Sequence, residues 1–350
     1  MKRVLTLVVM FCALFANSNE SANSSLNWEE LEAKGRLATS IRAKNVTRVY
    51  SPHPNAFHLL YALDKNKLSG AIFTWNAYEK RFLPKELLNA PLVGGFYGQG
   101  VVPNFEVLAS LKPQLVLMGE GAKGSKETKI FADLSSDVML LNITTLQDHI
   151  LALHKLSWAL NADERGAKLM IDAQKTLDFA ASLRQKLKNS PALSVYYAQG
   201  ANGLQTECQG SSHIELVELL GAKSPLKCPN ADGFGRVSVT FEEVVKFNPD
   251  VILVYDKTFF DSLKTDKKWR LLKAVREGRV YLLPRGPFSW FDRPSSFMRF
   301  LGVKWLAKVL YPDLTSNLDI FAEAKEFYKL WLDYDLDEAT FNAVLNADFK

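Results

Sequence analysis

One short pattern occurs twice in this chain, on either side of a long helix, and no other feature limits the fold so tightly. Phe105, Glu106, Pro113 and Leu117 recur as Phe241, Glu242, Pro249 and Leu253, at a constant offset of 136 residues and with matched apolar positions between them. Each copy reads as a short helix, a proline-containing turn and a buried strand. Between the copies, residues 167–190 contain neither glycine nor proline. Leu169, Ala173, Leu177, Ala180, Leu183 and Leu187 recur there three or four residues apart, on one helical face. A helix over Asp163–Asn189 would be about 40 Å long, too long to pack inside one lobe. Pro191 stops it.

On both sides of that helix, short apolar runs alternate with amphipathic ones. The first half predicts strands at Val46–Tyr50, Ala71–Thr74, Leu115–Met118 and Val138–Leu141, and helices at Asn55–Leu63, Phe105–Leu111 and Thr145–Leu160. The second predicts strands at Leu193–Tyr197, Val251–Tyr255 and Val280–Leu283, and helices at His213–Leu220, Phe241–Phe247 and Ser295–Leu310. One or two closing helices follow over Leu318–Leu345. This alternation gives parallel sheets covered on both faces. The fold class is therefore α/β: two Rossmann-like lobes with parallel sheets, joined by one long α-helix. The expected divisions are a first lobe over 45–160, the connecting helix over 161–190, and a second lobe with closing helices over 191–350.

Residues 1–18 read as a secretory signal peptide. Met1-Lys2-Arg3 precedes an apolar run from Val4 to Phe15, and Ala16-Asn17-Ser18 supplies small residues for cleavage near Ser18. That run is shorter than the roughly 20 residues a spanning helix needs. Cys12 lies inside it, behind bulky Phe11, a poor context for a lipid anchor. Residues 19–44 form a polar extension with a short helix around Trp28–Lys34. The chain is expected in the periplasm, where Cys208 and Cys228 suit a disulfide, two unpaired thiols being the alternative. A net charge of +5 on 350 residues is too small to argue for nucleic acid or a membrane surface.

Enzyme signatures are missing. Gly119 to Lys126 looks like a phosphate loop, but Ser125 stands where the lysine belongs. His149 and His154 fall within a helix and read as structural, whereas His53 and His213 fall in strand-to-helix loops, where open α/β sheets bind ligands. The most informative loop runs from Pro287 to Ser295, with Phe288, Trp290, Phe291 and Arg293 together. Its rings offer stacking area and its guanidinium offers charge for a flat, anionic ligand. The alternative is that Trp290 and Phe291 plug the core while Asp292 and Arg293 pair with each other. Gly94 to Gly100, holding Phe96 and Tyr97, is the counterpart in the first half.

The signal peptide, twin lobes, connecting helix and repeated unit together resemble the class III substrate-binding proteins of ABC importers, over roughly residues 45–315, which implies a ligand cleft between the two lobes. Trp290-Phe291-Asp292-Arg293-Pro294-Ser295 is similar to a Trp-Phe-Glu-Arg-x-Ser stretch lining the cleft of cobalamin receptors. Ser51-Pro52 matches the family's first-lobe cleft loop and puts His53 beside it. The resemblance implies that Glu106 and Glu242 dock onto the membrane permease, and that the chain catalyses nothing and carries no intrinsic cofactor. It implies a monomeric receptor that captures a metal chelate, an iron(III) siderophore or a nickel chelate, and passes it to an ABC permease in the inner membrane. Tyr97, Trp290, Phe291 and Arg293 would hold the ligand, and His53 would also be a direct metal ligand. Cobalamin, haem and molybdate are alternative cargoes. A chelatase-like enzyme and an exported adhesion or scaffold protein are the other classes.

Overall fold

The computed structural model describes residues 41–96, 103–228, 236–263 and 265–346. The expected signal peptide, the helix around Trp28–Lys34 and Tyr97 lie outside them. The first half contains strand β1 (Val49–Tyr50), helices α1 (Pro54–Asp64) and α2 (Phe105–Leu111), strands β2 (Leu115–Gly119) and β3 (Asp137–Leu141), and helix α3 (Leu146–Ala159). Helix α4 (Asp163–Lys186) follows. The second half contains β4 (Val195–Ala198), β5 (Gln205–Thr206), β6 (Val237–Ser238), α5 (Phe241–Phe247), β7 (Val251–Val254), β8 (Val280–Leu282) and α6 (Arg299–Leu310). Helices α7 (Ile320–Leu332) and α8 (Glu338–Asn346) end the described chain.

The repeat is structural as well as sequential. Strand orders are β1-β2-β3 and β4-β7-β8, all parallel, so each copy of the repeated unit supplies the central strand of its own sheet. Asn104 caps α2 by accepting from the amides of Glu106 and Val107, and Thr240 caps α5 by accepting from the amide of Glu243. Each helix buries one apolar side chain completely, Leu108 or Val244, and ends on a left-handed residue, Lys112 or Asn248. The amides of Gln114 and Asp250 then make equivalent bonds of 2.9 Å, to the carbonyls of Arg48 and Ser194. In β4 and β7, alternate residues feed different apolar clusters: Val195, Tyr197, Val251 and Leu253 on one face, Tyr196, Ala198, Ile252 and Val254 on the other. Burial on both faces explains why these strands read as continuous apolar runs.

The expected strand at Ala71–Thr74 is reduced to a single bridge between Ala71 and Leu92. Beyond it, Phe73 and Trp75 turn away to pack on Phe57. Burial of rings wins over continuation of the ladder.

Helix α4 spans about 36 Å at 1.5 Å per residue. Acidic Asp163 and Glu164 open it and basic Arg184 and Lys186 close it, matching its dipole. It packs on α3 and on α6. A Cβ on Gly166 would fall 2.2 Å from Ser157 Cβ, so only glycine permits the approach to α3. Helix α7 also braces both halves: Trp331 Nε1 donates to Asp172 in α4 at 2.7 Å, while Tyr328 packs on Phe82 of the first half. One apolar cluster runs from Val49 through Leu169 and Val195 to Leu301, continuous across both lobes.

Candidate functional site

The loops leaving the carboxyl ends of the two sheets meet each other. Tyr78 Oη donates to the Arg285 carbonyl at 2.9 Å, and His58 Nδ1 lies 3.3 Å from the Ser295 carbonyl. Arg299 donates to the carbonyls of Thr144 in the first lobe and Ser212 in the second, both at 3.3 Å, and pairs with Glu215. Glu215 in turn accepts from the Leu146 amide at 2.9 Å. An aromatic cluster backs this seam: the Phe288 ring stands 4.1 Å from His58, 5.8 Å from Tyr61 and 5.9 Å from Phe297. Open parallel sheets bind ligands outside their strand carboxyl ends, and here two such edges adjoin.

The aromatic loop of the second lobe does not line that edge as expected. Trp290 is fully buried, with Nε1 donating to Tyr328 Oη at 3.3 Å and its ring against Phe341. Phe291 is buried against Tyr197. Both rings belong to the core, held by partners that leave no face for stacking on a ligand. Arg293 is likewise engaged: it pairs with Glu207, donates through Nε to Gln199 Oε1 at 2.7 Å, and stands 3.4 Å from Asp292. Burial pulls its pKa down, but Asp292 and Glu207 outweigh that and leave it raised. Arg293 is a charged latch inside the second lobe rather than a free cation.

A different cationic group occupies the edge. Tyr255 directly follows β7, and its ring lies under the guanidinium of Arg285 at 5.0 Å and that of Arg236 at 5.6 Å. Tyr255 Oη donates to the Arg293 carbonyl at 3.3 Å, tying the ring to the latch behind it. Burial raises the pKa of Glu79, from the first lobe, against the smaller opposing effects of a hydrogen bond from the Asn76 amide and of the field of Arg285. The sequence reading overlooked all three residues of this group. Arg285 and Tyr255 were nonetheless marked by position, Tyr255 as the last residue of one predicted strand and Arg285 just beyond another.

From the first lobe, His53 stands at the N-terminus of α1, and its side chain does not cap the helix. Its ring lies over the end of β2, where a Cβ on Gly119 would come within 3.1 Å of Cδ2. Burial lowers its pKa to about 4, so near neutral pH the imidazole is uncharged, the form that ligates metals. Among the described residues no three His, Cys, Asp or Glu side chains converge to hold a metal ion. Glu106 and Glu242 are exposed in the first turns of α2 and α5. Cys208 and Cys228 are joined as a disulfide, Cα atoms 5.7 Å apart. A depression of about 300 Å³ lined by Asp64, Lys65, Arg165 and Asp333 lies at the far end of α1 from His53 and is no part of this edge.

Comparison with known proteins agrees with this architecture. Residues 74–286 match the family model described as periplasmic binding protein. The solved structure of an ABC transporter solute binding protein from Sulfurospirillum deleyianum DSM 6946 is 32% identical, with 85% of this chain and 94% of that one covered and a TM-score of 0.77. The Fe(3+)-citrate-binding protein YfmC of Bacillus subtilis is 26% identical over 233 residues, 64% of this chain and 68% of that protein. The molybdate-binding protein MolA of Haemophilus influenzae is 26% identical over 165 residues, 46% of this chain and 42% of that protein. Among the described residues no helix is long and apolar enough to cross a membrane. Twin parallel sheets, a single helical strut and the matched span make this chain a member of the periplasmic binding protein family, in the class III group of substrate-binding proteins that serve ABC importers.

Proposed function

We propose that this protein is an exported receptor for an anionic metal chelate, iron(III) or nickel held by oxygen-rich organic ligands, which it presents to its permease. The observation that carries this is the pair of guanidinium groups, Arg236 and Arg285, over Tyr255 at the strand-end edge. Guanidinium groups bind carboxylates in a planar, two-pronged manner, and the ring beneath them holds both by cation–π contact. His53 faces the same edge from the first lobe as a neutral imidazole. The name of the Bacillus relative, an Fe(3+)-citrate-binding protein, fits this cargo class. Exposed Glu106 and Glu242, one on each copy of the repeat, are the proposed permease contacts.

An oxyanion is the second reading, favoured by the same arginines and by the Haemophilus relative named for molybdate. Tryptophan-quenching titrations with ferric citrate, nickel citrate, cobalamin, haem and molybdate separate the two. Trp75, half-buried at the seam, is the natural reporter. The expected result is saturable binding of ferric citrate or nickel citrate, weakened at least about tenfold in Arg236→Ala with Arg285→Ala, the loss of two charge-assisted contacts. Arginine-dependent binding of molybdate alone selects the second reading. Binding of cobalamin or haem that ignores both arginines overturns both.

A further inference from the structure

One histidine that neither the edge nor the latch has so far used is held as a metal ligand is held. His213 sits in the short turn Ser212–Ile214, fixed by Ser211, whose Oγ accepts from the His213 amide at 3.2 Å. Its Nδ1 lies 2.8 and 2.9 Å from the two carboxylate oxygens of Asp292. Asp292 is 1% exposed and is itself fixed, by the Ser295 hydroxyl at 3.3 Å and by Arg293 at 3.4 Å. With Nδ1 committed to a buried carboxylate, Nε2 is the ring nitrogen left to meet a ligand. Among the described residues Nε2 makes no hydrogen bond and is not one of the buried unpartnered atoms, and the side chain keeps 20% of its exposure. The ring therefore presents one committed edge to the protein and one donor atom outward.

Its location matches the cargo. Ser212, its neighbour, shares Arg299 with Thr144 of the first lobe, which puts the turn at the seam between the sheets. Asp292 adjoins Arg293, whose carbonyl accepts from Tyr255. A chain of contacts, from His213 to Asp292, on to Arg293 and from its carbonyl to Tyr255, thus links the imidazole to the Arg236–Arg285 pair.

We propose that His213 Nε2 coordinates the metal of the captured chelate, with Asp292 as its positioning residue, and that the cargo is therefore a chelate with an exchangeable coordination position. This rests on reading the edge as a site for an anionic chelate. In the binding step Nε2 donates its lone pair to the metal and one coordinated water leaves. The Nδ1 proton stays on its bond to Asp292, and any proton on Nε2 passes to solvent as the metal binds.

Copper(II) nitrilotriacetate, an anion with exchangeable positions, is a suitable probe because electron paramagnetic resonance resolves nitrogen on copper. The full chain should add one nitrogen to the probe's own, and His213→Ala and the near-isosteric His213→Gln should lose that nitrogen and bind at least about tenfold more weakly. Asp292→Asn, checked for folding by circular dichroism, should keep the nitrogen but bind about tenfold more weakly with a shifted spectrum, as expected for a lost orienting partner. Retention of the extra nitrogen in both His213 variants overturns the assignment, as does its loss from His53→Ala instead. Arg285→Ala with Arg236→Ala separates the two levels. Weaker binding there with unchanged His213 variants rejects only the histidine, whereas wild-type binding in the arginine variants rejects the anion site beneath it.

Discussion

Burial holds three histidines near the seam uncharged: His58 falls to about 3, and His149 and His53 to about 4, in each case chiefly because desolvation penalises the imidazolium. Unfolded, each would titrate near 6.5. The unfolded chain therefore takes up protons first as pH falls, so stability is full above about 6.5 and declines until the folded values are reached. Urea denaturation midpoints should fall steadily from pH 6.5 to 4, and His149→Gln should flatten the slope; a midpoint constant over that range contradicts these burials. Trp290 offers a second residue-scale check. Trp290→Ala should destabilise by about 3–5 kcal/mol, as large aromatic truncations in cores do, whereas Trp290→Phe should lower the melting temperature with an unchanged chelate Kd. The loop's composition pointed to a ligand because nothing within it distinguishes a ring that stacks on cargo from one that stacks on the core. The deciding partners, Tyr328 and Phe341, come from helices much later in the chain.

At the scale of elements, the repeated unit was the most legible part. Its cap, buried apolar residue, left-handed ending and central strand are all local, so spacing alone specifies them. The strand expected at Ala71–Thr74 was not legible, because its fate depends on Phe57, a tertiary neighbour. The arginine pair was missed for a related reason: Arg236 and Arg285 are far apart in sequence and share only Tyr255. The two exposed glutamates on equivalent helices give a prediction that belongs here. Glu106→Ala with Glu242→Ala should leave chelate affinity unchanged and abolish uptake by the reconstituted importer. Uptake at the wild-type rate removes the docking role.

The molecule as a whole is built to move little. Its apolar core continues across both lobes, α4 packs on helices of each, and α7 ties α4 to the first half. Opening such a joint would expose apolar surface at about 25 cal/mol per Å², so capture should proceed by small adjustment. Small-angle scattering should show the radius of gyration changing by less than about 1 Å on saturation with ferric citrate; a change of several ångströms contradicts the strut. A crystal structure of the complex with that probe is the most direct measurement of all. The account predicts electron density at the carboxyl ends of β4 and β7, with ligand oxygens in hydrogen-bond reach of Arg236 and Arg285 and Trp290 still enclosed. Density stacked on an exposed Trp290, or seated away from Tyr255, would contradict it.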